Sequence, residues 1–125
     1  MIAFDTNYIV RLLIQDDMDQ CAEVSATMRQ ESENGRNIIL YDVVLCETLW
    51  VLSSAYQASR EELFTALRVL RNEPVFVFED PERFERVFKR FEAGRADFAD
   101  YLILELGKQN SHELRTFDKR LKKEI

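Results

Sequence analysis

Glycine and proline are scarce in this 125-residue chain, at three and two, so long irregular stretches have little to build them. Cysteine is almost as rare. Cys21 and Cys46 are too few for a disulfide framework, and neither has a Cys or His nearby at metal-binding spacing, so both read as reduced thiols. Histidine occurs once, as His112 beside Ser111, and any Ser-His-Asp chemistry would depend on it alone. No glycine-rich phosphate loop is present, which speaks against a P-loop or a Rossmann dinucleotide site. Apolar runs stay far below the roughly 18 residues of a membrane span, and Asp5 arrives too early for a secretory signal, so the expected location is the cytoplasm. Internal repeats, low-complexity tracts and linkers are also missing, and a single domain over residues 1–125 is expected.

What is present is an ordinary globular mixture, 46% hydrophobic and 32% charged, with a formal charge of −6. That sign argues against a protein that merely coats nucleic acid. The charge is uneven: residues 1–64 hold 11 acids and 4 bases, residues 65–125 hold 12 acids and 13 bases. Arg83, Arg86, Lys89, Arg90 and Arg95 cluster, but Glu82, Glu85 and Glu92 interleave with them. The cluster fits a phosphate guide and a salt-bridged helix face equally well.

Short apolar runs alternate with helical patterns. Ile2-Ala3-Phe4 predicts a first strand, and a short helix follows over 8–14. Asp17 can cap a longer helix whose stripe is Met18, Cys21, Ala22, Ser25 and Met28, closed by Asn34-Gly35. Residues 38–41 predict a second strand, buried on both faces, and Asp42 a cap for a helix to about residue 57. Ser59 and Glu62 spell a capping box for a helix to about Asn72. Residues 75–78 predict a third strand, and Asp80-Pro81 an N-cap and first position for a helix that Gly94 breaks. A further helix starts near Asp97 or Phe98 with the stripe Ala99, Leu102, Ile103, Leu106; residues 113–117 predict a fourth strand, and 119–123 a last, basic helix. Strands separated by helices imply an α/β fold of three layers, α/β/α, around a mostly parallel sheet of four to five strands.

In such sheets ligands bind beyond the carboxyl ends of the strands. Four carboxylates fall there: Asp5 after strand one, Glu47 one turn into the helix after strand two, Asp100 in the first turn of the helix before strand four, and Asp118 after strand four. Glu47 is the only charged residue within 43–52, where burial of its charge would require a partner. Asp5 and Asp118 also stand where they could cap the following helices, and Asp97 fits an N-cap with Asp100 three residues on. Crowded carboxylates repel unless a proton or a divalent cation is shared. An all-oxygen set without His or Cys suits Mg²⁺ or Mn²⁺ rather than zinc, and such sites commonly serve phosphoryl chemistry.

Four blocks, Phe4-Asp5-Thr6-Asn7, the stretch 47–52, the stretch 96–103 and Thr116-Phe117-Asp118, resemble in order and spacing the motifs of the PIN domain, most closely the VapC-type toxin ribonucleases of type II toxin–antitoxin pairs. The resemblance covers essentially the whole chain. It implies a metal-dependent endoribonuclease that uses Mg²⁺ or Mn²⁺, with Asp5, Glu47, Asp100 and Asp118 as catalytic metal ligands. It further implies Asp97 as an accessory acid and Asn7 and Thr116 as polar groups that orient ligands or water. Expected partners are RNA, a small antitoxin whose tail enters the site, and a second copy in a homodimer. Other readings are a non-catalytic PIN-like binding module and a receiver-like Mg²⁺-binding signalling domain. A DNA or flap nuclease would want an arch or insertion that this length does not provide.

Overall fold

Strands and helices alternate in a computed structural model that describes residues 1–125. The elements are β1 (Ile2–Ala3), α1 (Thr6–Leu13), α2 (Met18–Glu33), β2 (Ile38–Leu40), α3 (Asp42–Ala55), α4 (Arg60–Asn72), β3 (Phe76–Phe78), α5 (Pro81–Ala93), α6 (Phe98–Gln109) and α7 (Lys119–Lys122). Backbone contacts divide them into two compact units, Met1–Glu79 and Asp80–Ile125.

The first unit carries the sheet, parallel throughout and ordered β1-β2-β3. The α/β class is as expected, but three strands form rather than four or five. Ile38 and Leu40 are fully buried, while β1 lies at an edge with Ile2 and Ala3 exposed. Helix α1 packs on α2 and α3, and α3 on α4, so that Ile9, Leu45 and Leu67 have no solvent exposure. Local signals act as the sequence predicts. Asp17 caps α2 through Gln20 N–H, and the Ser59–Glu62 capping box opens α4. Gly35 ends α2 at φ +67°, with its N–H on the Ser32 carbonyl and that of Arg36 on the Glu31 carbonyl, a Schellman closure that favours glycine.

The expected α2 stripe is wrong. Met18, Ala22 and Ser25 are exposed, and the covered face runs Cys21, Val24, Met28, Glu31. Periodicity alone did not separate the two stripes, because the correct one ends on a charged residue. Glu31 is buried because Arg36 reaches it at 2.8 Å. The cap of α3 also differs: Tyr41 is the N-cap residue, and the Asp42 N–H is taken by Glu79 Oε1 at 3.1 Å.

The second unit is helical. Asp80 caps α5 through Arg83 N–H with Pro81 in the first turn, and α5 packs on α6. Their seam is aromatic: Phe84–Phe88 centroids lie 5.7 Å apart and Phe91–Phe98 centroids 5.9 Å, both edge-on. Gly94 permits the close approach of Tyr101, whose hydroxyl occupies the space a Cβ would need. The α6 stripe is corrected as well. Leu102 is buried with Phe98, Tyr101 and Glu105, whereas Ile103 and Leu106 face solvent. The fourth strand does not form. In residues 113–117 only Leu114 and Thr116 are half-buried, Arg115 pairs with Glu113, and Phe117 is 99% exposed. A strand inside a parallel sheet needs apolar cover on both faces, which this segment lacks.

Candidate functional site

Asp5 leaves β1 and caps α1, its Oδ1 accepting from Tyr8 N–H at 3.1 Å. It borders a cleft of about 160 Å³ with Asn7, Tyr8, Arg11, Gln20 and Glu23. One wall is held by Tyr8, whose ring packs tilted at 55° against Phe4 with centroids 4.9 Å apart and whose hydroxyl donates to Glu23 at 2.8 Å. That bond, then burial and the Glu23 and Asp5 charges, raise the Tyr8 pKa. Asn7 is exposed at the cleft.

Glu47 overturns its sequence argument. It is exposed, on a face of α3 that also exposes Val43 (66%) and Trp50 (70%). The apolar surroundings in sequence are not surroundings in space, because Leu45, Leu49 and Leu52 turn to the other side of the helix. No desolvation penalty attaches to Glu47. The structure instead buries Asp42, five residues earlier and at the position where the sequence predicts a cap. Nearby Cys46 is pushed up to about 11, first by burial and then by the Asp42 charge, so its thiol stays protonated.

The other three acids belong to the second unit. Asp97 and Asp100 form a capping box at α6, in which Asp97 N–H donates to Asp100 Oδ2 at 3.0 Å, and Asp100 N–H goes to the Asp97 carbonyl at 3.1 Å. Asp118 caps α7, its Oδ1 accepting from Arg120 N–H at 2.8 Å and Leu121 N–H at 3.1 Å. Thr116 Oγ1 accepts from Asp118 N–H at 3.0 Å, which fixes the backbone at that turn. The basic cluster on α5 proves structural at three positions: Arg83 pairs with Asp80, Arg86 with Glu105, and Arg90 with Glu105 and Glu124.

Asp5, Asp100 and Asp118 therefore serve as helix-terminus acceptors, and each does so with one oxygen, Oδ1, Oδ2 and Oδ1 respectively. The second oxygen of each stays available for another ligand, and Glu47 faces water. As donors these are hard, all-oxygen groups of the kind Mg²⁺ and Mn²⁺ take. No group of three or more His, Cys, Asp or Glu side chains is gathered to hold a metal ion. Donor chemistry fits such an ion; a preassembled cluster is not present.

The PIN domain family matches residues 2–123. The crystal structure of VapC20 from Mycobacterium tuberculosis, a toxin that cleaves the sarcin–ricin loop, aligns over 99% of this chain and 95% of its own, at 15% identity and a TM-score of 0.45. That likeness is too remote to speak for function. No functionally curated protein matches the sequence. With nearly its whole length matched, the chain belongs to the PIN-domain family, and the receiver-like alternative is left without support. No helix is long and apolar enough to cross a membrane.

Proposed function

We propose that this PIN-domain chain is a toxin-type endoribonuclease that hydrolyses RNA with Mg²⁺ or Mn²⁺ held by Asp5, Glu47, Asp100 and Asp118. The observation that carries the reading is that these four acids, one in each motif block of a PIN-domain chain, all keep a carboxylate oxygen free of protein donors. When bound, such an ion activates water and neutralises charge at the scissile phosphate. The chain's own residues supply the rest. Helix caps hold Asp5, Asp100 and Asp118 by one oxygen, which limits their rotation and presents the other. Thr116 steadies the Asp118 turn, Asn7 offers an amide beside Asp5, and Asp97 adds negative charge next to Asp100.

The first unit holds 13 acids against 6 bases, net −7, which suits a basic antitoxin segment as an inhibitor of the Asp5 side. A small antitoxin, a homodimer and a cytoplasmic location complete the proposal. One observation favours a second reading, a non-catalytic PIN-like binding module: no three acids stand together.

Cleavage of single-stranded RNA by the purified chain in Mn²⁺ separates the two. Asp5→Asn removes the charge but keeps an oxygen for Tyr8 N–H, so it is expected to fold normally and to lose at least about a hundredfold in rate. Cleavage at the parental rate by a folded Asp5→Asn variant would exclude this site.

A further inference from the structure

The turn after Asp118 has a surface that the proposed chemistry does not use. Lys119, Arg120, Lys122 and Lys123 are all exposed, and only Leu121 of that turn is buried, at 4% exposure. The ion pairs of the second unit use Arg83, Arg86, Arg90 and Arg115, and the four cations of the turn stay outside them. Immediately before Asp118, Phe117 is 99% exposed, more than any other large hydrophobic residue of the chain. A bare phenyl ring and four unpaired cations within seven residues concentrate positive charge and aromatic surface in a chain whose net charge is −6.

The turn is also anchored at both ends. Thr116 and Asp118 hold its start through the bonds given above. Arg90 donates to the Glu124 carbonyl at 3.1 Å, and Tyr101 donates its hydroxyl to the Glu124 carboxylate at 3.0 Å. Such anchoring limits the backbone freedom lost when a ligand binds, leaving mainly side-chain ordering to be met.

We propose that Phe117 and the cations Lys119, Arg120, Lys122 and Lys123 form a docking surface for single-stranded RNA, with phosphates on the cations and a base stacked on Phe117. The proposal rests on the ribonuclease reading and gives it a substrate subsite beside Asp118. Charge complementarity selects a polyanion, and the bare ring selects one with accessible aromatic faces. Duplex RNA buries its base faces, and an acidic protein segment offers charge without stacking.

The test is fluorescence anisotropy of a labelled 12-nucleotide single-stranded RNA in EDTA, across a KCl series, where no metal-dependent cleavage can occur. The combined variant Lys119→Gln, Arg120→Gln, Lys122→Gln and Lys123→Gln is expected to weaken binding roughly tenfold to a hundredfold at low salt and to reduce the slope of log K against log salt by about 2 to 3. Phe117→Ala is expected to weaken binding about tenfold with the slope unchanged, and duplex RNA is expected to be insensitive to it. Lys89→Gln with Lys108→Gln serves as the control and should change little. Unchanged affinity and slope in the four-glutamine variant would overturn the proposal. So would loss of charge-dependent binding without any effect of Phe117→Ala and with equal competition by polyglutamate, which would mark a protein-docking face instead. Binding that depends on Phe117 and the cations, in a chain that never cleaves RNA, would sink the ribonuclease reading and leave the docking surface standing.

Discussion

Each unit buries one glutamate, and the two answer its charge differently. In Met1–Glu79, Glu31 is 6% exposed and answers to Arg36 five residues away, across the turn that Gly35 makes. Arg36 is itself half in water, with 51% of its side chain exposed. In Asp80–Ile125, Glu105 is equally buried but takes Arg86 at 3.0 Å and Arg90 at 3.7 Å, both from the neighbouring helix α5. Arg90 then continues to Glu124 and lies over the Tyr101 ring at 5.2 Å. Thr48 Oγ1 in the first unit has no hydrogen-bond partner, and Arg90 Nη1 in the second has none beyond its 3.7 Å ion pair with Glu105. The first unit answers its buried glutamate locally, beside an apolar core. The second ties two helices and α7 together through a shared polar network, whose members stand or fall together.

The largest expected effect follows from that difference. Glu105→Ala removes the acceptor that Arg86 and Arg90 share and leaves Arg90, with 24% of its side chain exposed, poorly compensated. A loss of about 2–4 kcal/mol is expected, with faster hydrogen exchange in α5, α6 and α7. Glu31→Ala frees an arginine that can rehydrate, and about 1 kcal/mol is expected, confined to the end of α2. Urea denaturation with exchange mapping checks both. Equal losses from the two substitutions would erase the contrast between the units.

This same difference explains what the sequence made legible. Where residues a few positions apart decide the outcome, reading succeeded: the Asp17 cap, the Ser59–Glu62 box, the Asn34-Gly35 stop and the Asp80-Pro81 start all form. It fails where a buried charge is held by a pairing that a hydrophobic pattern does not register, whether near in sequence as for Glu31 or on another helix as for Glu105. The α2 and α6 stripes were misassigned because Glu31 and Glu105 occupy core positions, which a hydrophobic pattern reads as surface. Residues 113–117 looked extended by composition, but they have neither ladder partners nor two apolar faces. For the site, the acids, their motif blocks and the capping positions of Asp5 and Asp118 are legible in the sequence, while the bond from Asp97 N–H to Asp100 Oδ2 is visible only in the backbone geometry. Glu47 taught the opposite lesson: an apolar neighbourhood in sequence can be an exposed helix face.

A smaller effect, opposite in sign, tests the first unit. Thr48 is 1% exposed and its hydroxyl has no partner. Thr48→Val keeps the shape and removes the stranded group, so a gain of about 1 kcal/mol is expected in the same denaturation measurement. A loss of similar size would mean that the hydroxyl is satisfied in solution, and the first unit would then share the polar bonding of the second.

The smallest stability changes, and the sharpest functional ones, are expected at Asp97 and Asp100. From the sequence, Asp97 reads as the cap and Asp100 as a ligand with no part in capping. The capping box changes that expectation, because Asp100 Oδ2 itself accepts the Asp97 N–H at 3.0 Å. Removing the whole carboxylate would confound a lost cap with a lost ligand. Asp100→Asn avoids this: its amide oxygen can still accept from Asp97, while the charge disappears, so stability should shift by no more than about 0.5 kcal/mol. If Asp100 is a metal ligand, RNA cleavage in Mn²⁺ should nevertheless fall at least about a hundredfold, and the stabilisation of the fold by Mn²⁺ should shrink with it. Asp97→Asn, under identical conditions, is expected to retain most activity if Asp97 serves only beside a ligand at Asp100. The two variants need melting curves with and without Mn²⁺ as well as rates. An inactive Asp97→Asn beside an active Asp100→Asn would exchange their roles, and two fully active variants would remove α6 from the site altogether.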